Sequence, residues 1–224
     1  MFLEAAIALL AMLAAIFLQP WRLLANQRPL AHKTHGRPSP LWTPLLATLV
    51  ILPWAWALPT LHHMPLQLQW SGACLVLLML GWPLAVPVLL AVGTIAALVS
   101  PGLSWADALG LAVWQGVVPA TLALLPGALL RRLLGRHTLD GVRPFVYVLG
   151  RAFLGTAACV FLAGTLSQWA GHALPGVGAQ LSLVARWLMA WGDAVVTGML
   201  CAIFVAFKPG WLATWSDQIY LPRP

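Results

Sequence analysis

The amino-acid sequence predicts an all-α fold: a polytopic membrane helix bundle of about seven transmembrane helices, with the N-terminus outside and the C-terminus cytoplasmic. Three observations predict it. The 224 residues are 61% hydrophobic and only 8% charged, where a soluble domain has roughly a quarter of its residues charged. Apolar runs long enough to cross or enter a bilayer recur from one end of the chain to the other. Ten of the 12 Lys and Arg residues lie in two alternate connections and the tail, the pattern expected when positive loops stay on the cytoplasmic side. The spans are read at residues 3–17, 41–58, 66–80, 84–99, 108–130, 145–169 and 181–207, followed by a tail at 208–224, as one integral membrane domain over 1–224. The expected location is the inner membrane of a bacterium, and the expected surroundings are lipid rather than nucleic acid, despite a formal charge of +7.

The first span follows Glu4 instead of a basic segment, and Gln19-Pro20-Trp21-Arg22 makes a poor cleavage site, so it reads as an anchor and not as a cleaved leader. Its exit loop carries Arg22, Arg28, Lys33 and Arg37 and is placed inside. The second span has Pro53 in its interior and delivers His62, His63 and Met64 to the outer face. The apolar region 66–99 is too long for one helix of about 20 residues. Gly81-Trp82-Pro83 breaks it, and two short spans put Arg131, Arg132, Arg136 and Arg143 inside. Ser104 with Asp107 can cap the fifth span, where Gln115, Pro119 and Pro126 require backbone partners from outside the helix. The sixth span carries Arg151 among small residues such as Gly155, Ala158, Ala163 and Gly164, which permit close helix approach.

The seventh span is the most informative. It holds Asp193 near its middle and Arg186 two turns earlier, and at helical spacing Arg186, Asp193, Thr197 and Cys201 share one face. Ala194, Gly198, Ala202 and Ala206 form an adjoining ridge of small residues, suited to internal packing or to docking another membrane subunit. A carboxylate at this depth must be neutral, bonded or hydrated. Two readings stand: a substrate-path residue acting with Thr197, Arg186 and Arg151, or an ion pair with Arg186 or Arg151 that fixes helix packing. Trp211 and Trp215 in the tail read as interfacial anchors or as part of a partner surface.

Walker, GxGxxG, HExxH and Gly-x-Ser-x-Gly motifs are missing, and no carboxylate pair lies close in sequence, so no enzyme is expected. Cys74, Cys159 and Cys201 lie in three separate apolar segments and read as buried thiols. His62, His63 and Met64 offer imidazole and thioether donors that suit a transition metal, or they form an interfacial pair without a ligand. His32, His35 and His137 read as solvated loop residues.

Gly192-Asp193-Ala194-Val195-Val196-Thr197-Gly198-Met199 and the closing Lys208-Pro209-Gly210-Trp211 through Trp215-Ser216-Asp217 and Tyr220-Leu221 resemble the C-terminal signature of the energy-coupling-factor permease components of the CbiM and NikM kind. Leu80-Gly81-Trp82-Pro83 resembles that family's break between two central helices, and Phe145-Val146-Tyr147-Val148 the start of its next-to-last helix. Together these cover roughly residues 69–221. The resemblance implies a seven-helix substrate-capture subunit of an importer for a divalent metal of the cobalt or nickel type, with an ATPase and a coupling membrane subunit as separate proteins. It implies metal ligands from the Met1 amine, a histidine at position two and a histidine before the third helix. This chain has Phe2 at position two and Gln69 near the expected loop histidine, with His62 and His63 displaced from it. The same departures suit an accessory subunit derived from the family that packs against a larger membrane complex and no longer transports.

Overall fold

In the computed structural model the described residues are 1–21, 24, 39–61, 70–133, 143–174 and 177–215. They form an all-helical bundle. The helices are α1 (Phe2–Phe17), α2 (Trp42–Leu61), α3 (Ala73–Leu80), α4 (Trp82–Val99), α5 (Trp105–Leu130), α6 (Val146–Trp169) and α7 (Ala179–Phe207). Among the described residues α2, α4, α5, α6 and α7 are long and apolar enough to cross a membrane. The other two predicted spans are shorter. α1 has 16 residues, and the 66–80 span contributes only the eight-residue α3, about 12 Å at 1.5 Å per residue. Residues 62–69 lie outside the described set.

Local chemistry explains several helix ends. Gly81 takes φ +77°, which ends α3, and Pro83 then sits in the first turn of α4, where its missing N–H costs nothing. Ser104 caps α5 as the sequence indicates: its hydroxyl oxygen accepts from the Asp107 amide at 3.2 Å and its O–H donates to Asp107 Oδ2 at 2.6 Å. α5 and α6 are not regular throughout. Each contains a π-helical segment, Ala112–Val117 and Val146–Leu154, and these segments hold Gln115 and Arg151. π-bulges gather at functional positions.

α4 packs against α1, α2, α3 and α5, and α6 pairs with α7 while touching α5. Gly93 sets the α4–α5 approach: a Cβ there would lie 2.7 Å from the Ala112 Cβ. Gly155 does the same for α6 against Pro126 of α5, with a Cβ at 3.3 Å. The three thiols are free and buried.

α3 lies at the centre, and all eight of its residues are buried. A helix this short does not hold itself together, and it leaves backbone donors and acceptors open at both ends. Ser71, α7 and the turn after α7 supply partners at and just before these ends. Asp193 Oδ2 accepts the Ser71 and Gly72 amides at 3.1 and 3.3 Å, and Ser71 Oγ accepts the Ala73 amide at 3.2 Å. At the other end the Ala213 amide donates to the Met79 carbonyl at 3.0 Å. The Thr214 amide and hydroxyl both donate to the Leu78 carbonyl, at 3.2 and 2.9 Å. The last helix thus clasps the short one at both termini.

Candidate functional site

A cavity of about 450 Å³ opens among the ends of α2, α5, α6 and α7, at the side of the bundle that the charge pattern assigns to the outside. Ser71, Gln115 and Pro119 line its floor, beside the entry to α3; Asp107, His172 and Arg186 line its upper wall, near the starts of α5 and α7 and the end of α6. Gln115 lies ten residues into α5 from Trp105, about 15 Å along the helix. The wall between is largely apolar, with Leu111, Trp114, Val160 and Met189.

The floor is built by a proline. Pro119 has no N–H, so the helix offers too few donors to the carbonyls just before it, and the carbonyl of Gln115 takes a partner from outside. Ser71 Oγ donates to that carbonyl at 2.6 Å, which ties the entry of α3 to α5. The carbonyls of Trp70 and Ser71 in turn accept from the Trp56 indole at 3.1 and 3.2 Å. The irregular backbone at 70–72 is therefore enclosed by protein, the condition under which such backbone persists at membrane depth. Gly72 is required there. Its φ is +63°, and a Cβ would meet Leu52 Cδ1 at 2.9 Å.

The upper wall is a polar network between α6 and α7. Arg186 Nε donates to Gln168 Oε1 at 3.2 Å and its Nη2 donates to the His172 carbonyl at 2.7 Å; Ser182 Oγ donates to the same Gln168 oxygen at 2.8 Å. Gly164 makes room for the guanidinium, since a Cβ there would lie 3.4 Å from Arg186 Nη1. Above it the buried Glu4 carboxylate pairs with the Met1 amine, and its Oε1 lies 2.7 Å from His172 Nε2. Trp114 stacks at a tilt on His172 with centroids 5.8 Å apart, and its indole reaches Glu4 Oε1 at 3.5 Å.

The residues singled out from sequence fall into different places. Arg186 is on the cavity wall. Asp193 and Thr197 lie behind the floor, buried at 2% and 0% exposure; Thr197 Oγ1 donates to Asp193 Oδ1 at 3.4 Å, while the other oxygen takes the α3 amides. Among the described residues Asp193 has no ion pair with Arg186 or Arg151. Arg151 sits nearer the opposite end, its guanidinium over the Tyr147 ring at 5.7 Å and against Gly127. Ala194 and Gly198 are buried, the latter with Phe153 where a Cβ would be 3.3 Å away, while Ala202 and Ala206 are exposed. Trp211 packs edge-on against Phe204 and Trp215 against Tyr147.

His62, His63 and Gln69 lie outside the described residues. Phe2 is 96% exposed, and the Met1 amine is engaged by Glu4. Among the described residues no group of three His, Cys, Asp or Glu side chains is placed to hold a metal ion. Sequence reasoning missed the pairing of Glu4 with His172, and the roles of Ser71 and Gln168. For Glu4 a signal existed: an acid in the first turn of an apolar segment needs a partner.

Comparison of the chain with family models, with curated proteins and with solved structures gives no match.

Proposed function

We propose that this chain is the membrane substrate-capture component of an energy-coupling-factor-like importer and that the cavity is its capture site, facing outward. The supporting observation is the cavity: a space of about 450 Å³ with polar groups at its mouth and floor, within the 300–1,000 Å³ typical of small-molecule sites. Beneath it lies the enclosed short helix, a discontinuous element of the kind that transporters place at their binding sites. The motif resemblance around Asp193 and Gly81 points the same way. In this reading all seven helices belong to the membrane domain, the N-terminus is outside, and the C-terminus and basic loops face the cytoplasm of a bacterial cell. The ATPase and coupling subunit are separate proteins that meet the inner side, where Ala202, Ala206 and the Trp211 turn are available. The cargo that fits is a small organic solute. The cobalt- or nickel-type version of the reading needs donors from His62, His63 or Gln69.

A second reading, an accessory subunit of a larger membrane complex, is favoured by exposed Phe2 at the position where the resemblance requires a histidine. Affinity purification of the full chain from its native membranes in mild detergent separates the two. The expected result is stoichiometric recovery of an ATP-binding protein and a second membrane subunit. Recovery with a large complex and no ATPase would overturn the importer reading.

A further inference from the structure

We propose that the cavity takes a small organic acid bearing a hydrogen-bond donor, with the carboxylate on Arg186 and the donor on Gln115. The inference rests on the cavity being the capture site and names the class of molecule captured.

Arg186 is the cation of the wall, and it is held in advance. Nε is fixed by Gln168 and Nη2 by the His172 carbonyl, both neutral acceptors. Its charge has no carboxylate partner among the described residues: Glu4 is engaged with the Met1 amine and His172, and Asp107 is exposed at the rim with Ser104 on one oxygen. Nη1 has no hydrogen-bond partner among the described residues and lies beside Gly164. A half-buried guanidinium with two nitrogens anchored and a third open recognises a carboxylate with little further loss of side-chain freedom.

The floor asks for the opposite character. Gln115 Oε1 is buried and has no hydrogen-bond partner among the described residues; its residue lines the cavity, and a half-turn of the carboxamide presents this oxygen there. Buried acceptors are ordinarily satisfied, and an occupant that brings an N–H or O–H to this depth would satisfy this one. Leu111, Trp114, Val160 and Met189 in between suit an apolar or aromatic body. A bare metal ion or an inorganic anion would leave either the body of the cavity or Gln115 unused, and an amine cation would meet the Arg186 charge.

A matched series tests this on the detergent-purified full chain. The probes are 4-hydroxyphenylacetate, its methyl ester, tyramine and phenylacetate, which vary the acid and the hydroxyl on one skeleton. Binding is read by calorimetry and by the shift in thermal unfolding. The expected order places 4-hydroxyphenylacetate about tenfold or more ahead of the ester and tyramine, as loss of a charge-assisted hydrogen bond predicts, with phenylacetate weaker than the hydroxylated acid. Arg186→Gln should erase the preference for acid over ester. Gln115→Leu should erase the preference for the hydroxyl and keep the preference for the acid. Equal binding of acid and ester, a preference that survives Arg186→Gln, or no binding by any of the four overturns the proposal. The comparison on the unmodified chain decides it even if a variant does not fold. Recovery of an ATPase partner together with failure of the acids would leave the importer reading standing and remove only the substrate class.

Discussion

Replacing Asp193 by alanine would remove the one oxygen that accepts both the Ser71 and Gly72 amides at the entry to α3. Both amides would remain enclosed, and an unmet buried donor costs about 1–3 kcal/mol, so Asp193→Ala should cost about 2–6 kcal/mol. Asp193→Asn is the informative contrast. Its carboxamide oxygen can take the position of Oδ2 and accept the same two amides, while the NH2 faces Thr197, whose hydroxyl oxygen can accept. What is lost is charge assistance, and what is gained is relief from burying a charge. The asparagine variant should therefore lie within about 1 kcal/mol of the parent by this reasoning. For a chain of this size 1 kcal/mol moves the unfolding midpoint by about 2–4 °C. Thermal unfolding in a single detergent should show alanine lower by at least about 4 °C, with asparagine less than about 4 °C from the parent on the same scale. Equal losses for the two variants would refute the argument, because the negative charge itself, and not the acceptor oxygen, would then be what the helix needs.

Four other expectations can be checked alongside it. Gly72→Ala forces a Cβ onto a backbone with φ +63° and against Leu52; at least about 1–2 kcal/mol should be lost from the left-handed conformation alone, read as a lower unfolding midpoint. Thr214→Val removes the hydroxyl shared by Tyr147 and the Leu78 carbonyl and should cost about 1–3 kcal/mol, with faster proteolysis of the residues after α7 as a second readout. Ser71→Ala strands the Gln115 carbonyl that Pro119 leaves open and should destabilise by about 1–3 kcal/mol. Combining it with Pro119→Ala, which restores an N–H four residues on, should recover part of the loss. Reporter fusions at the two ends should report opposite sides of the membrane, and a same-side result would remove the orientation.

Much of the helical framework was legible because its causes are local. Each apolar segment contains a helix, the break at Gly81 and the cap at Ser104 follow from backbone chemistry within a few residues, and Pro119 announces an orphaned carbonyl. The partners were not legible. The amides that Asp193 accepts lie 121 and 122 residues away, and a backbone N–H carries no residue-type signal, so a search for charged partners pointed to Arg151 and Arg186. The link from Glu4 to His172 spans 168 residues and joins two segments with no shared motif.

The sequence by itself determined that the chain is helical, that its apolar segments suit a bilayer, and where most helices begin and end, because hydropathy and capping act over one or two turns. Only the tertiary structure decided that α3 is a short enclosed helix clasped by α7, that Asp193 accepts the two amides at its entry, and that Arg186 and Gln115 line a common cavity. Those outcomes depend on which unsatisfied groups meet when the helices pack, and lipid, which offers no hydrogen bonds, requires that they be met from within the protein.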